Sequence, residues 1–323
     1  MLNKDFTMAE ERKNISVIEP VNLAFARVRD MLFKPFDFSK WLAIGFCAWL
    51  AFLGERGFSG FNFRMPADRE NFNKIGSNAR HFIVSFLPLI ITIGVIVLVI
   101  AFAIGIVCMW LRSRGKFMFL HSVVNNEARI EEGWNRFSKV GNKLFVFNLI
   151  ASIISFAIAV VFVAVIILCI LAISRGDGGI AVGIIGLIPM VFAIICFAIV
   201  LALFFKFTVD FVVPVMYLRQ CGPVEGWRIF WSLLSANKGN FLLYILFQIV
   251  INLAIGIIVS FACILLCCVC CCVLLLVSLP FVWAVALLPV LVFTRCYSLY
   301  YLRQFGPDWD VFLPKTVVPL QTI

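Results

Sequence analysis

The chain has 323 residues, 63% of them hydrophobic and 14% charged, and a formal net charge of +10. A soluble domain is nearer half apolar and a quarter charged, and many apolar runs here exceed about 18 residues, so composition excludes an ordinary soluble enzyme and indicates an integral membrane protein. The basic excess is expected on membrane-flanking loops facing anionic lipid rather than on nucleic acid, because no basic stripe with interleaved aromatics lies outside those loops.

Residues 1–19 are polar and mixed in charge, read as a flexible cytoplasmic N-terminus with no signal-peptide core. From Val21 to Trp41 apolar and basic residues mix at helical spacing. Ala24, Val28, Met31 and Leu32 share one face, with Arg27 and Lys34 elsewhere. This predicts an amphipathic helix lying in the membrane interface, ended or kinked at Pro35. A single transmembrane domain is expected over 20–310, with a cytoplasmic tail over 311–323.

Six spans are predicted, near 41–54, 82–111, 144–173, 180–205, 241–266 and 273–294. The first has only 14 apolar residues, about 21 Å of helix against a hydrocarbon core of about 30 Å. The second contains Pro88 and is expected to close at Arg112, Arg114 and Lys116. A tight turn at 174–179 separates the third from the fourth, which ends at Lys206. No charge occurs from Phe241 to Thr294. A single helix over 241–277 would be about 55 Å long, so a break within 267–280 is preferred, with Pro280 favouring a later turn.

With both termini inside, the cytoplasmic segments hold 21 Lys or Arg and the outer loops 6. The positive-inside rule therefore favours cytoplasmic termini, in a multi-pass protein of a cell inner membrane. The loop 55–81, with five basic residues, is the exception.

The chain also repeats itself. Tyr217-Leu218-Arg219-Gln220-Cys221-Gly222-Pro223 returns as Tyr301-Leu302-Arg303-Gln304-Phe305-Gly306-Pro307, identical at six of seven positions. A looser copy is Met118-Phe119-Leu120-His121 followed by Glu132-Gly133-Trp134-Asn135-Arg136-Phe137. It matches Met216–Arg219 followed by Glu225-Gly226-Trp227-Arg228-Ile229-Phe230. An internal repeat of this kind defines architecture. The expected fold is an all-α helical bundle of six spans in three like-oriented hairpins, joined by amphipathic interfacial elbow helices. Parallel repeats argue mildly against a standard alternating-access transporter.

Asp210–Arg219, the Glu225–Arg228 helix, Phe241–Ile249, Leu287–Phe293 and Tyr297–Pro307 resemble an uncharacterised family of bacterial polytopic membrane proteins. Arg114–Leu120 and Leu32–Phe36 fit it as well. More distantly the chain is similar to the membrane domain associated with glycerophosphoryl diester phosphodiesterases. The resemblance implies a bacterial inner membrane and a lipid connection, and implies no activity.

Lys206 and Asp210, spaced i, i+4, are the first site candidates. A local ion pair is the preferred reading, and a proton or cation site the alternative. Pro214 is expected to free the Asp210 carbonyl. Arg219, Glu225, Trp227 and Arg228 suit lipid headgroups, although structural anchoring is preferred because Arg303 and Trp309 reuse the pattern. The cysteine run Cys267, Cys268, Cys270, Cys271 and Cys272 is read first as small-hydrophobe packing, ahead of a disulfide and then a metal site. His81 and His121, the only histidines, are expected on opposite membrane faces. No nucleotide-binding, hydrolase or zinc-protease motif occurs. The expectation is a non-enzyme without cofactor or metal: a scaffold or a module binding protein partners or lipid. Its partners would be the bilayer and anionic headgroups at the cytoplasmic face, not nucleic acid. The alternative is a transporter or channel for a small or lipid-like solute.

Overall fold

The computed structural model describes residues 15–53, 78–127, 130–174, 179–269 and 280–313, and every regular element among them is helical. The loop 55–81 (up to Ser77), the turn 175–178, the last outer turn within 270–279 and the tail from 314 lie outside the described residues. So do the side chains of His81 and of the cysteine run.

Helix α1 spans Glu19–Leu32, with Pro20 and an acidic residue in its first turn, where a missing N–H costs nothing and negative charge suits the helix dipole. Its buried face is Pro20, Ala24, Val28, Met31 and Leu32, the stripe set by helical spacing. That stripe does not face the membrane interface. It packs on α11 (Leu288–Arg303), because the buried faces of both helices are apolar and each covers the other. Leu23 and Phe25 remain exposed.

Helix α2 (Phe38–Ala51) starts where Asp37 Oδ1 accepts from the N–H groups of Ser39 and Lys40 at 2.9 and 3.2 Å, a side-chain cap. This is the expected first span. It is a short apolar helix, outside the set long enough to cross a membrane. Ile44, Cys47, Ala48, Leu50 and Ala51 are buried against α3 (Asn78–Asn125) and α10 (Pro280–Ala286).

Helix α3 runs 48 residues, through Pro88 and past Arg112, Arg114 and Lys116. The basic residues do not close it. Phe117, Met118, Phe119, Leu120 and Val123, just beyond them, are core residues, and burying them in helical register outweighs any local signal to stop. The helix ends at Asn126, which has φ 57°, a left-handed position that Asn tolerates. Lys40 Nζ donates to Asn126 Oδ1 at 2.9 Å. Arg27 Nη2 donates to the carbonyls of Val123 and Val124 at 3.1 and 2.7 Å, so a cation satisfies the negative end of the longest helix.

After the short α4 (Ile130–Arg136), helices α5 (Ser138–Ser174) and α6 (Gly179–Phe207) form a hairpin. A π-helical turn, Thr208–Val212, joins α6 to α7 (Val213–Arg219). Then come α8 (Pro223–Ala236), α9 (Lys238–Val269), α10, α11 and a 3-10 turn at Pro307–Trp309. The chain breaks between α10 and α11 at Leu287, with Pro289 in the first turn of α11. The described part of the expected sixth span is thus two helices, and α11 buries Leu288, Leu291, Val292, Arg295 and Tyr297 among others.

Among the described residues, four helical stretches are long and apolar enough to cross a membrane: Ile91–Asn125, Ser138–Ser174, Gly186–Arg219 and Lys238–Leu265. Their most apolar parts carry large exposed apolar residues, such as Ile96, Leu98, Ile154, Phe192 and Leu253. Such surface is stable only in hydrocarbon. The core gathers at one end, where Phe211, Phe230, Phe241, Tyr244 and Tyr301 are buried together. Phe211 stacks on Phe230 at 5.1 Å and meets Tyr244 at 5.0 Å.

Candidate functional site

The π turn is the centre of the packed end, and its geometry follows from one proline. The Val213 N–H bonds to the Thr208 carbonyl, five residues back. In that register the next donor would be residue 214, paired with the Val209 carbonyl. Residue 214 is proline and has no N–H. Arg295 Nη1 donates to the Val209 carbonyl instead. In the π register the carbonyl left without its donor is Val209, one residue before the Asp210 carbonyl to which α-helical spacing points.

Asp210 accepts from Lys206 Nζ at 2.9 Å and from the Tyr244 hydroxyl at 3.1 Å, both at Oδ2. The pair is partly buried, with side chains 29% and 15% exposed, so water screens it little. Thr208 Oγ1 donates to the Phe204 carbonyl at 2.7 Å and accepts from Trp227 Nε1 at 3.2 Å. The Trp227 ring stacks on Phe204 at 4.8 Å. Burial pulls the Arg295 pKa down to about 10, with Asp210 pulling it back up. The guanidinium therefore stays charged at neutral pH.

Lys206, Asp210 and Trp227 thus meet around the π turn, on α6, the turn itself and α8. Arg219 and Glu225 do not join them. Both are exposed; Arg219 lies over the Trp309 ring at 5.6 Å, and Glu225 occupies the first turn of α8. Arg228 is exposed as well. The two motif arginines converge on the last turn, since Arg303 pairs with Asp310 at 2.9 Å.

The loose sequence copy has matching local contacts. A Cβ on Gly133 would meet Met118 Cγ at 3.6 Å, and one on Gly226 would meet Met216 Cγ at 3.1 Å. Trp134 sits edge-on to Trp110 at 5.9 Å, whereas Trp227 Nε1 donates to Thr208 Oγ1. His121 faces the Tyr217 hydroxyl at 3.0 Å. Among the described residues no group of three or more His, Cys, Asp or Glu is placed to hold a metal ion.

Reading the sequence missed Tyr244, Thr208 and Arg295 as site residues. Tyr244 looked like one more aromatic in an apolar run. Arg295 looked like a flanking charge, although it is the first charge after the long uncharged stretch, where a lone arginine needs a partner.

No curated protein and no solved structure matches the chain. A family model does match, over residues 15–281, which takes in the four long helices, the π turn and the elbow at Arg219–Glu225. The chain belongs to the family of unknown function DUF7544.

Proposed function

We propose that the protein is a non-enzymatic scaffold or binding module for protein partners or lipid in a bacterial inner membrane, with the packed end and both termini on the cytoplasmic side. One observation carries this reading: the carboxylate that a transport path would need is already engaged. Asp210 is held by Lys206 and Tyr244 and flanked by fully buried aromatic rings. A partly open surface pocket of ≈ 240 Å³ lies elsewhere, lined by Glu19, Pro20, Leu23, Tyr300, Arg303 and Gln304. The elbow helix α8 supports membrane-surface contact, because it exposes Val224 and Trp231 beside Glu225 and Arg228, a pattern suited to the headgroup layer.

The positive-inside count supports the orientation. Matching Met–Gly contacts support an internal repeat, with six spans in three hairpins threading the membrane. The likeness to the phosphodiesterase-associated membrane domain rests on the elbows. No enzymatic activity is proposed, and neither a cofactor nor nucleic acid enters the reading.

Proteoliposomes holding a pH-sensitive dye test the proposal. Wild type and Asp210→Asn should give the same proton leak as protein-free vesicles. Flux in wild type that Asp210→Asn abolishes, with folding intact, would establish the transporter reading instead.

A further inference from the structure

Among the described residues, the packed end buries two basic side chains within range of a single carboxylate. Lys116 and Arg295 are 8% and 6% exposed. Lys116 lies within charge–charge range of Arg112, Arg295 and Asp210. Among the described residues, Asp210 is the one carboxylate within range of either Lys116 or Arg295. Asp210 is already engaged by Lys206 and Tyr244. Arg295 uses Nη1 on the Val209 carbonyl, while its Nη2 is enclosed with no hydrogen-bond partner. Lys116 makes no hydrogen bond among the described residues. A buried basic side chain carries charge stably only when paired and hydrogen-bonded, and here two of them lie within charge–charge range of each other with donors to spare.

We propose that Arg295 and Lys116, with Arg112 beside them, form a buried anion site that takes an oxyanion of the phosphate class. A guanidinium edge matches phosphate oxygens and an ammonium adds a point charge. The phosphate is either free or the phosphodiester of an anionic lipid headgroup. The site is separate from the exposed elbow residues Arg219 and Glu225 and does not depend on the scaffold reading.

The test uses full-length protein in nanodiscs of phosphatidylcholine, titrated with inorganic phosphate at ionic strength matched with chloride. A parallel series replaces part of the lipid with phosphatidylglycerol and omits phosphate. Thermal unfolding is the readout. Wild type should unfold at a higher temperature in at least one series. Lys116→Met should remove that rise, binding about tenfold or more weakly through loss of one charge-assisted hydrogen bond. Arg219→Gln should retain it. A rise with inorganic phosphate assigns the free anion, and a rise with phosphatidylglycerol alone assigns the headgroup. Because Arg295 also holds the π turn, Lys116→Met is the deciding variant, with Lys116→Gln in its place if the former fails to fold. No rise in either series, or a rise that survives removal of Lys116, overturns the site.

Discussion

Two glycines on α3 should respond differently to the same substitution. A Cβ on Gly115 would lie 2.6 Å from the Leu50 carbonyl carbon, 2.7 Å from the Ala51 nitrogen and 2.9 Å from the Leu50 oxygen. All three are backbone atoms of α2, so no side chain can rotate away. Ordinary contact begins near 3.4 Å, so α2 must retreat by about 0.8 Å, opening the core around Ala48 and Phe117. A Cβ on Gly105 meets nothing within 4 Å. Alanine at either position gains about 1 kcal/mol of helix propensity. The difference between Gly115→Ala and Gly105→Ala therefore isolates the clash, worth about 1–3 kcal/mol. Unfolding of the purified protein in nanodiscs measures it. Gly105→Ala should stabilise, and Gly115→Ala should fall below it by that margin. Equal stabilisation of both variants would refute the close packing of α2 on α3.

Tyr244→Phe should cost about 1.5–3 kcal/mol, the range for a hydrogen bond to an ionised acceptor, and Asp210→Asn on top of it should cost less than Asp210→Asn alone; additivity in this double-mutant cycle would deny the contact. Arg27→Met should leave the Val123 and Val124 carbonyls uncapped and speed amide exchange at the end of α3, at a cost of about 1 kcal/mol; unchanged exchange there would count against the cap. Trp227→Phe keeps the stack on Phe204 but loses the bond to Thr208, so it should cost about 0.5–1.5 kcal/mol in the same unfolding assay. At the elbow, burial pushes the Cys221 thiol up, Glu225 adds to the shift, and Arg219 and Lys143 oppose it. A raised pKa means less thiolate at a given pH. Maleimide labelling of Cys221 should therefore climb only above the usual thiol range, and Glu225→Gln should speed it at neutral pH; a normal labelling profile would contradict the placement.

Much of the architecture was legible because it rests on patterns the chain cannot hide. The stripe Ala24, Val28, Met31 and Leu32 emerges as the buried face of α1, and the Lys206–Asp210 pair forms as its spacing requires. What the stripe packs against was not legible, since an apolar face suits lipid and protein equally well. The ends of helices were also hidden. Arg112, Arg114 and Lys116 resemble a span terminus, yet the helix continues because the next turn is core. Around Pro214 the sequence marks a break but not its π register, so the Val209 carbonyl was not among the groups it pointed to. Arg295 and Tyr244 reach the site from elements far away in the chain, and only tertiary contact brings them to Asp210.

The account turns on the packed end lying at the inner membrane face, with the long apolar helices in lipid. An otherwise cysteine-free chain carrying Arg228→Cys on the exposed face of α8 tests this directly, using a membrane-impermeant maleimide on intact cells and on inverted vesicles. The account predicts labelling of inverted vesicles and none of intact cells. Labelling of intact cells would place the elbow outside and contradict it.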